Sequence, residues 1–244
     1  MNSGPRTYTG AIHVHTDQGG EGGSLEEVLQ AARQSRLDFV ILTDYGTRGY
    51  AIEELEGWHD DILVLCGEEI LSPEGHLLAF ETRFDIGNAP DFREAIDAIN
   101  RQSGVAVAIH HQLLGENNEE GESAYPLHEA DLLEIWSFTD DVLANANPQT
   151  IRGDASRPER LLCGPDRRFL RRWDRELERR SLCVVGGVNA HQRKEPLLDW
   201  GVYFPYAVAF QTICTVIQCP ELPKQSRRAC DLVWNALRTD RCSV

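Results

Sequence analysis

The chain has 244 residues, 41% hydrophobic and 26% charged, which is the composition of a folded globular protein rather than a disordered one. Lys and Arg number 24 against 39 Asp and Glu, a net charge of −15. Such a surface repels polyanions at long range, so nucleic acid and anionic membranes are not expected partners, while small anionic substrates stay open because bound metals invert a local field.

The first residues, Met1 to Arg6, show no apolar segment of the kind that forms a secretory leader. The longest apolar stretch, Val202 to Ile217, is broken by Pro205 and Gln211 and is too short to span a bilayer. Seven scattered cysteines with no C-x-x-C pair read as reduced thiols, and the expected location is cytoplasmic.

In chain order, Ala11 to His15 reads as a strand, followed by a glycine-rich loop from Gly19 to Gly23. Ser24-Leu25-Glu26-Glu27 is a capping box opening a helix whose Leu25, Val28, Leu29 and Ala32 share one face. Phe39 to Leu42 and Ile62 to Cys66 are continuous apolar runs of the buried-strand type. His76 to Phe80 is a further strand, and Asp91 caps a helix that Gly104 stops. Val105 to Ile109, Leu132 to Ile135 and Cys183 to Val185 continue the series of strands. Arg168 to Arg180 reads as a charged helix with Phe169, Trp173 and Leu177 as one buried stripe, and Arg227 to Leu237 as a last helix. Gly115 to Glu122 and Asn145 to Pro158 read as polar loops. The alternation predicts one α/β domain over residues 1–244, a parallel sheet closed into a barrel, with an open doubly wound sheet as the alternative.

The histidines and acids fall at the ends of these strands. His13 and His15 alternate along one strand and therefore face the same side. Asp44 ends the next run, Glu69 follows the third strand, His76 opens the fourth, His110 ends the run from Gly104, and Asn189 and His191 follow Val184 to Gly187. In α/β barrels the chemistry sits at one end of the strands, and imidazoles with carboxylates there suit zinc, manganese or iron at a hydrolytic centre. None of the cysteines sits at an electropositive strand end, which argues against a thiol nucleophile.

The ordered motifs His13-Val14-His15-Thr16, Thr43-Asp44-Tyr45, Gly67-Glu68-Glu69-Ile70, Gly75-His76, Ala108-Ile109-His110 and Gly187-Val188-Asn189-Ala190-His191 resemble those of the polymerase and histidinol phosphatase (PHP) superfamily. The likeness is greatest to its carbaryl-hydrolase-like metallohydrolases, which Trp173-Asp174-Arg175-Glu176-Leu177 and Ala236-Leu237-Arg238 also resemble. The resemblance implies a distorted (β/α)7 barrel that carries up to three divalent metal ions and hydrolyses phosphate esters or related bonds.

Carried over residue by residue, the resemblance gives a first metal position of His13, His15, a bridging Glu69 and Asn189, where the family has aspartate. A second position takes Glu69, His76 and His110. A third would need an acid after the glycine-rich turn, met by Glu21 only with a one-residue offset, a histidine where Tyr45 stands, and His191; it is expected to be empty. One or two metals (Zn, Mn or Fe) and a small phosphorylated molecule as substrate are therefore expected, and placement at the strand ends makes His191 the candidate acid or base and Asp44 the residue orienting a neighbour. The second expectation, motivated by Asn189 and Tyr45, is a non-catalytic barrel that keeps the site for metal or ligand binding.

Overall fold

A computed structural model describes residues 4–20, 22–46, 54–109, 129–146, 157–194 and 202–244. Its strands grow from the apolar runs: β1 (Arg6–Val14), β2 (Phe39–Leu42), β3 (Gly57–His59), β4 (Ile62–Cys66), β5 (Glu68–Ser72), β6 (Gly75–Phe80), β7 (Val105–Ala108), β8 (Leu132–Ser137), β9 (Cys183–Ala190), β10 (Arg193–Lys194), β11 (Val202–Tyr203), β12 (Thr215–Cys219) and β13 (Cys242–Ser243). The helices are α1 (Leu25–Gln34), α2 (Phe92–Arg101), α3 (Phe138–Asn145), α4 (Arg167–Leu177), α5 (Tyr206–Thr212) and α6 (Ser226–Arg238). The capping box at Ser24 is formed in full, with Glu27 N–H donating to the Ser24 hydroxyl and the Glu27 carboxylate accepting from Ser24 N–H.

One hydrogen-bonded path runs β3-β4-β2-β1-β9-β8-β7-β6-β5, with β12 and β13 added beside β1. The pairs β4–β2, β2–β1, β1–β9, β9–β8 and β8–β7 are parallel. The chain passes from β4 into β5 through Gly67 alone, yet β5 lies at the opposite end of the path. That covalent link makes the sheet curl back on itself. Gly67 N–H donates to Leu42 O at 2.7 Å and Glu69 N–H to Thr43 O at 3.1 Å, seating the turn against the end of β2. A side chain at 67 would meet Phe80 and the Ala79 carbonyl at 2.8 and 2.9 Å, so glycine is required by space.

The curled sheet is mixed, where the sequence suggests uniformly parallel strands. β5 and β6, and β3 and β4, are antiparallel because their connecting turns are far too short for a parallel crossover, and β6 and β7 are antiparallel as well. β3, β5 and β10 to β13, all of five residues or fewer, are the strands the sequence pattern did not single out.

Two layers of core result. Inside the curl, Ile12, Phe39, Ile41, Leu65, Phe80, Val107 and Val185 pack with Ala229, Cys230, Val233 and Trp234 of α6. Phe39, Val105 and Leu132 begin their strands, so α6 plugs the end at which the parallel strands start and leaves the other end for polar groups. Outside, α1 and α5 cover β1, β2 and β4, while α2 and α4 cover β6 to β8.

The buried stripe of α4 is shorter than the four-residue spacing suggests: Phe169 is buried and Leu170 and Trp173 pack beside it, but Leu177 is 43% exposed. Spacing fixes the angle around a helix axis and says nothing of how far along the axis the neighbouring sheet extends. None of the seven cysteines is joined in a disulfide. Among the described residues no helix is long and apolar enough to cross a membrane.

Trp234 is 4% exposed and lies 5.2 Å from Phe80 between ring centres, the rings tilted at 33°, so Trp234→Ala empties the middle of the plug. It is expected to cost about 3–5 kcal/mol in urea denaturation, against under about 0.5 kcal/mol for a change at exposed Phe84.

Candidate metal centre

The open end of the curl is built on a backbone irregularity. The register of β1 against both β2 and β9 shifts between Ile12 and Val14, and His13 there takes a left-handed φ of 68°. Ile12 points into the inner core and Val14 into the outer one. The bulge lets His13 and His15 both reach the mouth, the same-side placement that H-x-H alternation predicts. Across the pair, Asn189 is left-handed too, at φ 43°. Such backbone costs about 1–3 kcal/mol per residue, which the packing around it must over-determine.

Glu69, the second residue of β5, lies between the imidazoles. Its Oε2 is 3.1 Å from His13 Nε2 and 2.9 Å from His15 Nε2, and its Oε1 accepts from His76 Nδ1 at 2.6 Å. Each carboxylate oxygen therefore faces different histidines, the arrangement a bridging ligand needs. Behind His13, Glu134 of β8 accepts from Nδ1 at 2.8 Å. Gly187 of β9 makes room for that carboxylate, since a Cβ there would overlap it.

His13, His15 and Glu69 are fully buried and offer donor atoms within 4.8 Å of one another. Both nitrogens of His15 and Glu134 Oε1 are buried without a hydrogen bond. Two imidazoles and a carboxylate converging in a buried pocket, with neither His15 nitrogen in a hydrogen bond, fit a divalent first-row cation, and the His13–Glu134 pair supplies the outer carboxylate that such ligands usually have. Burial pulls the pKa of His13 down, but Glu134 and then Glu69 outweigh it and push it up from 6.5 to about 9.

Around this cluster the remaining residues take supporting positions. Asp44 accepts from Thr16 N–H at 2.6 Å and Thr16 Oγ1–H at 2.5 Å, with its Oδ1 3.9 Å from His15 Nδ1. Burial raises its pKa, and the Thr16 bonds oppose that. Asp44 thus holds the turn that follows His15. His191 stacks on His15 at 4.0 Å and 11°, and Tyr45 lies 5.0 Å from His15 on ring centres. Asn189 places its Oδ1 2.7 Å from His191 Nε2 and donates from Nδ2 to Asp140 Oδ1 at 2.9 Å. His110, Glu21, the loop at 115–122 and most of the loop at 145–158 lie outside the described residues.

Three residues of the site escape a reading of the sequence. Glu134 has a signal, a single acid inside the otherwise apolar run Leu132 to Trp136. Asp140 looks like an ordinary acid in the first turn of a helix. Tyr206 looks like core, but its hydroxyl donates to His15 O at 2.5 Å and accepts from Gly23 N–H at 2.7 Å, tying the residue after β1 to the glycine loop.

No protein-family model matches the chain. It is 30% identical over 112 residues to an uncharacterized protein of Methanocaldococcus jannaschii, an alignment covering 41% of this chain and 65% of that one. Among solved structures it is similar to a two-domain protein of Bacteroides vulgatus described as containing a predicted PHP-like metal-dependent phosphoesterase, with a TM-score of 0.51 and 14% identity over 98% of this chain and 65% of that one. It also aligns with PsfC of Pseudomonas syringae, with a TM-score of 0.47 and 13% identity over 89% and 83% of the two chains. The chain thus spans about two-thirds of the length of the first two and shares its fold with the Bacteroides protein.

A raised folded-state pKa stabilises the protein below the unfolded value and stops doing so above the folded one. In chelator, His13 is therefore expected to contribute about 3 kcal/mol below pH 6.5, less across pH 6.5–9, and nothing above about 9. Glu134→Gln, which removes the charge that raises His13 most, is expected to flatten that slope. Urea titrations of both proteins at pH 6, 7.5 and 9 read the difference, and parallel curves would contradict it.

Proposed function

We propose that the chain is a metal-dependent hydrolase, a phosphoesterase acting on a small phosphorylated molecule. The carrying observation is Glu69, buried, with its two oxygens turned to different imidazoles: Oε2 to His13 and His15, Oε1 to His76. The fold shared with a protein described as containing a PHP-like metal-dependent phosphoesterase supports the same reading.

In this reading His13, His15 and Glu69 hold one cation, and Glu69 with His76 and His110 hold a second. A divalent cation there would act as a Lewis acid on the phosphoryl oxygens and make water a nucleophile near neutral pH. The chain's own groups do the rest. Glu134 keeps a hydrogen on His13 Nδ1 so that Nε2 faces the ligand position, a second-layer bond that fixes ring and tautomer together. The full burial of His13 and His15 keeps bulk water from the ligand nitrogens. Asp44 fixes the turn after His15 through Thr16, and His191, stacked on His15, exchanges a proton with the substrate.

A second reading, a non-catalytic barrel that retains metal, is favoured by Asn189, whose amide is engaged at both ends, and by Tyr45 in a position where the resemblance implies a histidine. One experiment separates the two. Protein purified without chelator is expected to carry about one or two equivalents of zinc, manganese or iron by elemental analysis and to hydrolyse p-nitrophenyl phosphate. Removing the metal should abolish turnover, re-addition restore it, and Glu69→Ala lower both occupancy and kcat/KM by at least about a hundredfold, beyond the loss usual for an outer-layer partner. Bound metal without turnover supports the second reading, and no metal at all sinks both.

A further inference from the structure

Asn189 is buried, left-handed, and committed at both ends of its amide. Its partner Asp140 is fully buried in the first turn of α3. The next residue, Asp141, accepts from Trp136 Nε1–H at 2.9 Å, Asn145 Nδ2–H at 2.8 Å and Gly164 N–H at 2.9 Å, so the start of the helix is fastened to its surroundings.

The direction of every hydrogen bond from Asp140 outward is dictated by chemistry. An ionised carboxylate only accepts, so the Asn189 NH2 must face it, and the amide carbonyl is left toward His191. That carbonyl also only accepts, so Nε2 of His191 must carry the hydrogen. In a neutral imidazole the lone pair then sits on Nδ1. Stacking on His15 at 4.0 Å and 11° fixes the ring plane.

We propose that Asp140 is a positioning residue which, through Asn189, sets the tautomer and plane of His191, with the hydrogen on Nε2 and the lone pair on Nδ1. The effect on turnover rests on the hydrolase reading; the tautomer does not. The same chain explains the amide at 189. An aspartate there would set two buried carboxylates about a hydrogen-bond length apart, where like charges cannot both ionise without a large penalty. Asn189→Asp alone is thus not a repair of the site.

The test uses the full chain with 15N-labelled histidine, the His191 signals being assigned by their loss in His191→Gln. Wild-type protein is expected to show the Nε2–H tautomer, Asp140→Asn to keep it, and Asp140→Ala to give a mixture with Nδ1–H. Asp140→Ala should also lower kcat on p-nitrophenyl phosphate at least about tenfold with KM changed less than about twofold. A wild-type Nδ1–H signal, or an Asp140→Ala spectrum identical to wild type, overturns the proposal. Absence of wild-type turnover overturns the hydrolase reading and with it the expected loss of kcat, while the tautomer is still read by NMR. If Asp140→Ala does not fold, the exchange of the pair decides: Asn189→Asp should lower Tm by about 5 °C or more, and the double variant Asp140→Asn with Asn189→Asp should recover most of it. An Asn189→Asp protein as stable as wild type overturns the coupling.

Discussion

Glu69 is a buried carboxylate whose position is set by the tightest turn in the sheet. Taken out of water alone, its charge would cost several kcal/mol, and it is tolerated because three imidazoles surround it. The one-residue link at Gly67 delivers it there. The link curls the sheet, places the start of β5 over the end of β2, and turns the Glu69 side chain to the histidines of β1 and β6. Fold closure and site assembly are thus one constraint: lengthening the link would both loosen the curl and withdraw the carboxylate the histidines share.

The two ends of the curled sheet divide the remaining work. At one end α6 fills the interior with Val233, Trp234 and Ala229, an apolar plug packed against the inner face of the sheet. At the other end the interior positions change abruptly from Ile12 and Val185 to His13, His15, Glu134 and Asn189. The backbone marks the boundary, since both left-handed residues of β1 and β9 fall at this change. A regular strand would send alternate residues out, and Ile12, His13 and His15 could not all face inward without the extra residue.

Much of this layout is legible in the chain because it follows from short-range rules. The two-residue period places His13 with His15, the apolar runs give β2, β4, β7 and β8, and Ser24 announces α1. What stays hidden depends on distant partners. Glu134 is fixed by the vacancy of a side chain at Gly187 on the neighbouring strand, Asp140 by the amide of Asn189, and Tyr206 by the His15 carbonyl, 191 positions away in the sequence. Short antiparallel pieces such as β3 and β5 escape for a related reason, because three to five residues carry too little periodicity to stand out from a loop.

The electrostatics of the cluster argue that it is shaped for a cation. Two carboxylates, Glu69 and Glu134, flank His13, and together they overcome the burial that would otherwise keep its ring neutral. A site selected only for structural hydrogen bonding would need no such excess of acceptors, since a neutral imidazole donates once. Here His13 must carry a hydrogen on each nitrogen to satisfy both neighbours, and His15 lies 2.9 Å from Glu69 with neither nitrogen in a hydrogen bond. A divalent ion in place of the proton would use the lone pairs of His13 Nε2 and His15 together with the Glu69 oxygen, and would leave the His13–Glu134 bond intact. A cation bound there would thus displace a proton from His13, so that its binding would be coupled to the titration of that ring.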